Sequence, residues 1–397
     1  MPPWWGRVLA PALEAGGARV VNANSGVSVQ PGILAAAVLD LRKAIGCVED
    51  AALRRELAAV VANLGNPLAR VIGIYTTAHH AVAALSSAER KHALLVTTCT
   101  YDPPGRALAA VARETGLPLV HLAHACQSGP PEGAWYAGEV PGDWLLVPGE
   151  RDAAWWEASC LAHATAPQIV VTGQPLWDGY ARLVRQPVTP PQLVWLAESG
   201  AHPTMQPGTW TSRDVPQRAW QAFLAALASL PADLEWQLCL KTRSGEDPAL
   251  VERWMADLFD WEFGHVVTHT DAWLQEVLPG AAVVVGQDSN GLLEAAHLGI
   301  PCLSITRRGG ALFAPEDPVL VLDGEGDPDE LAQLLAPPLG ALLRRPPADG
   351  REAAALRAMA RRYNAGADGR GLVRTVATLQ GIAAAGTVRH TTEQEVA

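Results

Sequence analysis

The stretch VVVGQDSNGLLEAAHLGIPCLSI, residues 283–305, contains a strand, a turn, a helix and the start of another strand. Its leading valines lack polar alternation, which is the pattern of a strand buried on both faces of a parallel sheet. The polar turn then offers Asp288 or Ser289 as N-cap for a helix opening at Asn290. Gly299 and Pro301 stop that helix before the apolar run CLSI. Parallel neighbours need a crossover of this kind. The first turn of the helix presents unsatisfied backbone N–H groups at the carboxyl end of a strand, where hydrogen bonding and the helix dipole both attract phosphate. The turn is therefore either a phosphate site, with Ser289, Asn290 and Glu294 around it, or a plain N-cap with Glu294 in solvent.

Outward from this segment, short Val/Leu/Ile runs alternate with longer Ala/Leu/Arg segments at helical spacing over nearly all 397 residues. Strands are expected at 18–23, 71–75, 94–98, 117–122, 144–148 and 169–172, then at 193–197, 236–241, 265–268, 282–285, 302–305 and 319–322. Helices are expected at 6–15, 105–115, 152–161, 214–230, 248–259, 290–298, 352–363 and 371–385. Between the two sets of strands, ARLVRQPVTPPQ places Pro187, Pro190 and Pro191 close together, as an interdomain linker does. The expected fold is α/β: two Rossmann-like doubly wound domains, 1–180 and 192–345, facing a cleft, with C-terminal helices and a frayed tail over 346–397. The helix at 6–15 precedes the first expected strand, so the first domain either lacks its opening strand or pairs its sheet differently.

Acidic residues outnumber basic ones by 41 to 30, for a formal net charge of −11. That charge repels a phosphate backbone and disfavours nucleic acid as a partner. Six cysteines without a C-x-x-C pair fit a reduced compartment. The opening MPPWWGRVLAPALEAGG has no continuous apolar core, and no later stretch approaches the ~20 apolar residues of a membrane span. A soluble, cytoplasmic protein is expected.

The segment D-S-N-G-L-L-E-A-A-H-L-G-I-P-C-L resembles the S-x-x-x-E-A-x-x-x-G-x-P signature of the glycosyltransferase B-type fold. That resemblance implies that Ser289, Asn290 and Gly291 meet a donor diphosphate and that Glu294 holds the ribose hydroxyls. Over 120–178, LVHLAHACQSG, DWLLVPGE and IVVTGQPLWD are similar to landmarks of capsule-type and teichoic-acid-type transferases and of non-hydrolysing UDP-N-acetylglucosamine epimerases. His124 falls on the motif histidine, a candidate catalytic base in the transferases, although Ala125 replaces the usual Gly. An acceptor hydroxyl is a poor nucleophile at neutral pH, and imidazole is suited to take its proton. The alternative for His124 is a histidine bonded to a carbonyl, and His121 is expected to pack on the opposite face. In WQLCLKTRSGED, residues 236–247, Lys241 keeps a family position, whereas Arg243 and Ser244 replace a His-Pro pair. Arg243 supplies fixed charge and forked hydrogen bonds rather than a proton. Lys241 and Arg243 are either phosphate ligands or exposed strand-end cations.

The loop at 197–210 either covers the donor or is ordinary surface, and Asp102 either faces the acceptor or belongs to an Asp-Pro-Pro turn, the reading favoured here. His265 and His269 lie about 13 Å apart on a strand and cannot share a metal. Asp327 is explained as a helix N-cap, and neither a nucleophile elbow nor a G-x-x-x-x-G-K-[ST] loop is present. Of the tryptophans, Trp220, Trp236 and Trp254 suit a core, while Trp135, Trp177 and Trp210 fall near the cleft and either pack or stack on a sugar or base.

The resemblance implies a glycosyltransferase that moves a sugar from a nucleoside-diphosphate sugar to an acceptor hydroxyl, with a histidine base, no metal and no cofactor beyond that co-substrate. Its partners are the nucleotide sugar and a hydroxyl-bearing acceptor. The rivals are a glycerophosphotransferase, a sugar-nucleotide epimerase, a non-catalytic nucleotide-sugar-binding protein and, against the charge, a DNA-base glycosyltransferase.

Overall fold

Apolar runs with no polar alternation become the strands of two parallel sheets in the structure, a computed structural model that describes residues 3–23, 31–55, 65–98, 103–127, 142–160, 166–197, 214–242, 248–259, 266–287, 289–306, 312–345 and 350–386. The first sheet contains β1 (Leu95–Thr97), β2 (Leu119–Leu122), β3 (Trp144–Val147) and β4 (Gln168–Val171), paired in that order. The second contains β5 (Gln192–Leu196), β6 (Gln237–Lys241), β7 (Val266–Thr270), β8 (Ala281–Gly286), β9 (Cys302–Ile305) and β10 (Leu320–Leu322). Its order is β10-β9-β8-β5-β6-β7, every pair parallel. This is the doubly wound order, in which the direction of winding reverses between β5 and β8.

Period-two alternation splits the second sheet's side chains between two cores. Leu193, Trp195, Val283 and Val285 face the helices Asp214–Ala228 and Pro328–Arg344, where Trp195 stacks on Phe223 at 4.1 Å. Val194, Leu196 and Val284 face the opposite way, onto the helices Asn290–His297 and Arg351–Tyr363. Trp220, Trp236 and Trp254 are buried, as expected. In the first sheet, Val120, Leu122 and Leu146 pack against the terminal helices Pro3–Ala15 and Gly371–Ala385. Leu145 and Val147 pack against the helix Glu150–Cys160 on the other face. The tail helices thus divide between the sheets, Arg351–Tyr363 on the second and Gly371–Ala385 on the first.

Two expected strands are absent. Residues 71–75 lie inside the helix Gly65–Ala83, where Ile74, Ala78 and Val82 are buried at four-residue intervals and Ala78 and Val82 pack with Val111 and Leu117. A helical stripe therefore overrides the β propensity of the VIGIY run. Residues 18–23 pair with no strand; Val21 is 53% exposed, and Ala23 alone of this segment packs against a core cluster. Among the described residues no strand precedes β1.

The helix Gly371–Ala385 docks on the first half through the IVVTGQPLWD landmark. Asp178 accepts hydrogen bonds from the N–H groups of Gly371 (2.7 Å) and Leu372 (2.8 Å), capping that helix from a distant part of the chain. Arg374 donates to the Thr172 carbonyl at 2.8 Å, and the Gln174 N–H donates to Asn364 Oδ1 at 2.7 Å. Gly173 has φ +85°, and an added Cβ would lie 2.9 Å from Arg374.

Candidate functional site

Open parallel sheets hold ligands outside the carboxyl ends of their strands at the switch point. Here that point lies between β5 and β8, and the chain leaves β8 through Gln287 into the helix Asn290–His297. Ser289 is the N-cap, its Oγ accepting from the Gly291 N–H at 3.3 Å. Gly291 is a packing glycine: an added Cβ would lie 2.7 Å from Leu196 Cδ1 and 3.0 Å from Leu274 Cδ1. Counted back from Glu294, the serine of the S-x-x-x-E signature falls on Asn290, with Ser289 one residue earlier. Asn290 reaches across to the first half of the chain, its Oδ1 accepting from the Cys126 N–H at 2.9 Å.

Lys241 ends β6, half-buried, and its Nζ donates to the Thr242 carbonyl. His269 is committed to Thr242, Nε2 lying 2.9 Å from Oγ1. Arg243, Asp102, His265, Asp288, Trp135, Trp210 and the loop residues 198–210 lie outside the described residues. Asp327 caps the helix Pro328–Arg344, accepting from the Asp329 N–H at 2.8 Å.

Glu294 is not a solvated surface carboxylate. Tyr180, from the 3-10 segment Pro175–Arg182, donates its hydroxyl to Glu294 Oε2, and the Trp177 side chain is a second donor. Burial pushes the carboxyl up to about 7, against the opposing effects of those two donors and the charge of Lys241. Burial, with the adjacent carboxylate, drives the Tyr180 phenol far upward, so it remains a donor. The Tyr180 ring stacks on His297 at 5.7 Å and 8° between planes, and Trp177 meets the same ring edge-on at 5.6 Å. Burial lowers His297 to about 4, which keeps the imidazole neutral. Trp177 is thus a buried packing and hydrogen-bonding residue rather than an open stacking surface.

On the first half, His124 is exposed at the end of β2, with its Nδ1 3.0 Å from the Thr98 carbonyl oxygen. A carbonyl cannot donate, so Nδ1 carries the proton and the lone pair lies on Nε2. The turn behind His124 is held at three residues. The Gln174 side chain donates to the His124 carbonyl at 2.9 Å, Cys126 bonds Asn290, and the Gln127 N–H donates to Asp152 at 2.8 Å. Burial raises Asp152 to about 7. His121 packs edge-on against Trp156, and burial lowers it to about 3. Its expected packing role is what the structure shows.

Tyr180, Gln174, Asn364 and Asp178 escaped assignment from the residues themselves. Only the motif context of 171–178 pointed to any of them, because their partners lie 50 to 194 residues away.

The molecule is a two-sheet parallel α/β protein whose second sheet has the doubly wound strand order with its switch point between β5 and β8. No protein-family model matches the chain, and no curated sequence matches it. Among solved structures it is similar to a glycosyltransferase from Rickettsia africae, at 11% identity and TM-score 0.49, over 78% of this chain and 81% of that one. It is similar to HepE of Anabaena in complex with UDP-glucose, at 13% identity and TM-score 0.45, over 81% and 82% of the two chains. A structure of S. aureus MnaA with UDP gives 13% identity and TM-score 0.47, over 77% and 78%.

Proposed function

We propose that the chain is a glycosyltransferase that moves a sugar from a nucleoside-diphosphate sugar to an acceptor hydroxyl. One observation carries this reading: the Cys126–Asn290 hydrogen bond sets the His124 turn against the N-terminus of the switch-point helix. That bond supports a reading in which the candidate base and the candidate diphosphate site act on one substrate pair. His124 Nε2 takes the acceptor proton as the new bond to the anomeric carbon forms and the bond to the diphosphate oxygen breaks. The leaving diphosphate gains negative charge, which the helix N-terminus, Ser289, Asn290, Lys241 and Arg243 oppose, while Glu294 holds the ribose.

The first test is a thermal-shift panel of UDP, GDP, CDP, ADP, dTDP and CMP, because a ligand bound only by the folded state stabilises it by about 2.7 kcal/mol at roughly 100 times its Kd. A selective rise in Tm with one diphosphate is expected; no shift with any of them removes the donor site. With the matching sugar nucleotide, His124→Ala is expected to lower turnover by about 100-fold or more while leaving diphosphate affinity unchanged. Normal turnover in that variant removes His124 as the base.

A further inference from the structure

Glu294 is the only carboxylate in the helix NGLLEAAH, and it is oriented from outside that helix. A carboxylate offers about four lone-pair sites. Tyr180 and Trp177 occupy two of them, and both residues come from the 3-10 segment that closes the first half of the chain. That segment is itself fixed. Tyr180 is 3% exposed with its ring stacked on His297, Trp177 packs on the same imidazole, and Gln275 donates to the Leu176 carbonyl at 2.7 Å. With the ring locked in place, its hydroxyl has one position, and the carboxylate is held against it.

We propose that Tyr180 is a positioning residue for Glu294: its hydroxyl, carried across from the first half of the chain, holds the carboxylate at the angle from which the remaining lone pairs meet the vicinal hydroxyls of a nucleotide's ribose. This rests on the reading of Glu294 as the ribose-binding group. A carboxylate already restrained loses less freedom on binding than one free to rotate. Because the two partners come from different halves of the chain, a filled ribose site also favours their docked arrangement.

The test is a set of Kd values, by calorimetry on the full chain, for UDP, CDP, GDP and ADP, each against its 2′-deoxy counterpart. The wild type is expected to bind the ribose form of one nucleotide about tenfold or more tighter than its 2′-deoxy counterpart, a ratio near one or below it overturning the proposal, and Glu294→Ala to bring that ratio to about one. Tyr180→Phe keeps the ring stack and removes only the hydroxyl, so the ratio is expected to fall by about threefold to tenfold. Should Tyr180→Phe not fold, Tyr180→Met, which also lacks the hydroxyl and fills the space with a flexible apolar chain, is read in the same way. If Glu294→Ala erases the ratio but Tyr180→Phe retains it, or weakens both forms equally, Tyr180 is merely structural and the proposal is overturned. If no diphosphate binds the wild type, or Glu294→Ala keeps the ratio, the donor-site reading itself falls and the role of Tyr180 falls with it.

Discussion

Burial moves the Glu294 carboxyl from an ordinary 4.5 to about 7, and the sign of that shift sets how the residue affects stability. Between the two values the folded chain binds the proton more tightly than the unfolded chain. The contribution is therefore complete below about 4.5 and lost as pH rises through about 7. The groups facing Glu294 are Tyr180 and Trp177 from the 3-10 segment and Lys241 from β6, and His297 stacks on the Tyr180 ring. Tyr180 stays protonated and His297 neutral across this window. Asp152 titrates in the same range, so the comparison must be made by difference. Glu294→Gln, relative to wild type, is expected to gain on the order of 1 to 3 kcal/mol in urea denaturation between pH 5 and pH 8. An offset independent of pH would count against a buried, titrating carboxyl. The carboxylate and its place one turn into a helix are legible in the sequence. Its burial is not, because Tyr180 and Trp177 are more than a hundred residues away.

Between elements, backbone meets backbone closely at Gly149, where the helix Glu150–Cys160 begins beside the end of the helix Arg351–Tyr363. An added Cβ would lie 2.5 Å from the Arg362 carbonyl oxygen and from backbone atoms of Tyr363. Backbone cannot swing aside as a flexible side chain can, so Gly149→Ala is expected to cost at least about 2 kcal/mol. Gly46→Ala, whose Cβ meets nothing within 4 Å, is the control and is expected to be neutral or slightly stabilising. Equal midpoints for the two variants in chemical denaturation would contradict the close packing. The landmark DWLLVPGE thus owes its glycine to a contact with the tail. Element types were legible in apolar runs bounded by turn residues, as in β5 and β8, since few other environments bury both faces. They were misread at 71–75, where β-branched residues sit on a helix whose buried stripe becomes visible only against Val111 and Leu117.

At the scale of the whole molecule, the chain returns to its first half through the tail, and Asp178 holds that return by capping Gly371 and Leu372. Asp178→Ala removes two charge-assisted hydrogen bonds and is expected to lower stability by about 1 to 2 kcal/mol. Faster amide exchange is expected at Gly371 and Leu372, with β5 and β8 unaffected; unchanged exchange at those two amides would argue against the remote cap. The same landmark sends Gln174 to the His124 carbonyl and to Asn364 on the tail. The segment 171–178 therefore supports both the tail crossing and the turn that presents His124.

Periodicity and the turn at 286–291 were enough to determine an α/β chain with parallel sheets and a helix N-terminus at a strand's carboxyl end, since each depends on residues within one or two turns of each other. The winding order that makes β5 and β8 the switch point depended on which strands pair, and pairing is a property of distant segments. So did the capture of Asn290 by Cys126, the burial of Glu294 under Tyr180 and the capping of the tail by Asp178. A side chain's type is local, but its desolvation and its hydrogen-bond partners come from whatever the tertiary structure packs against it.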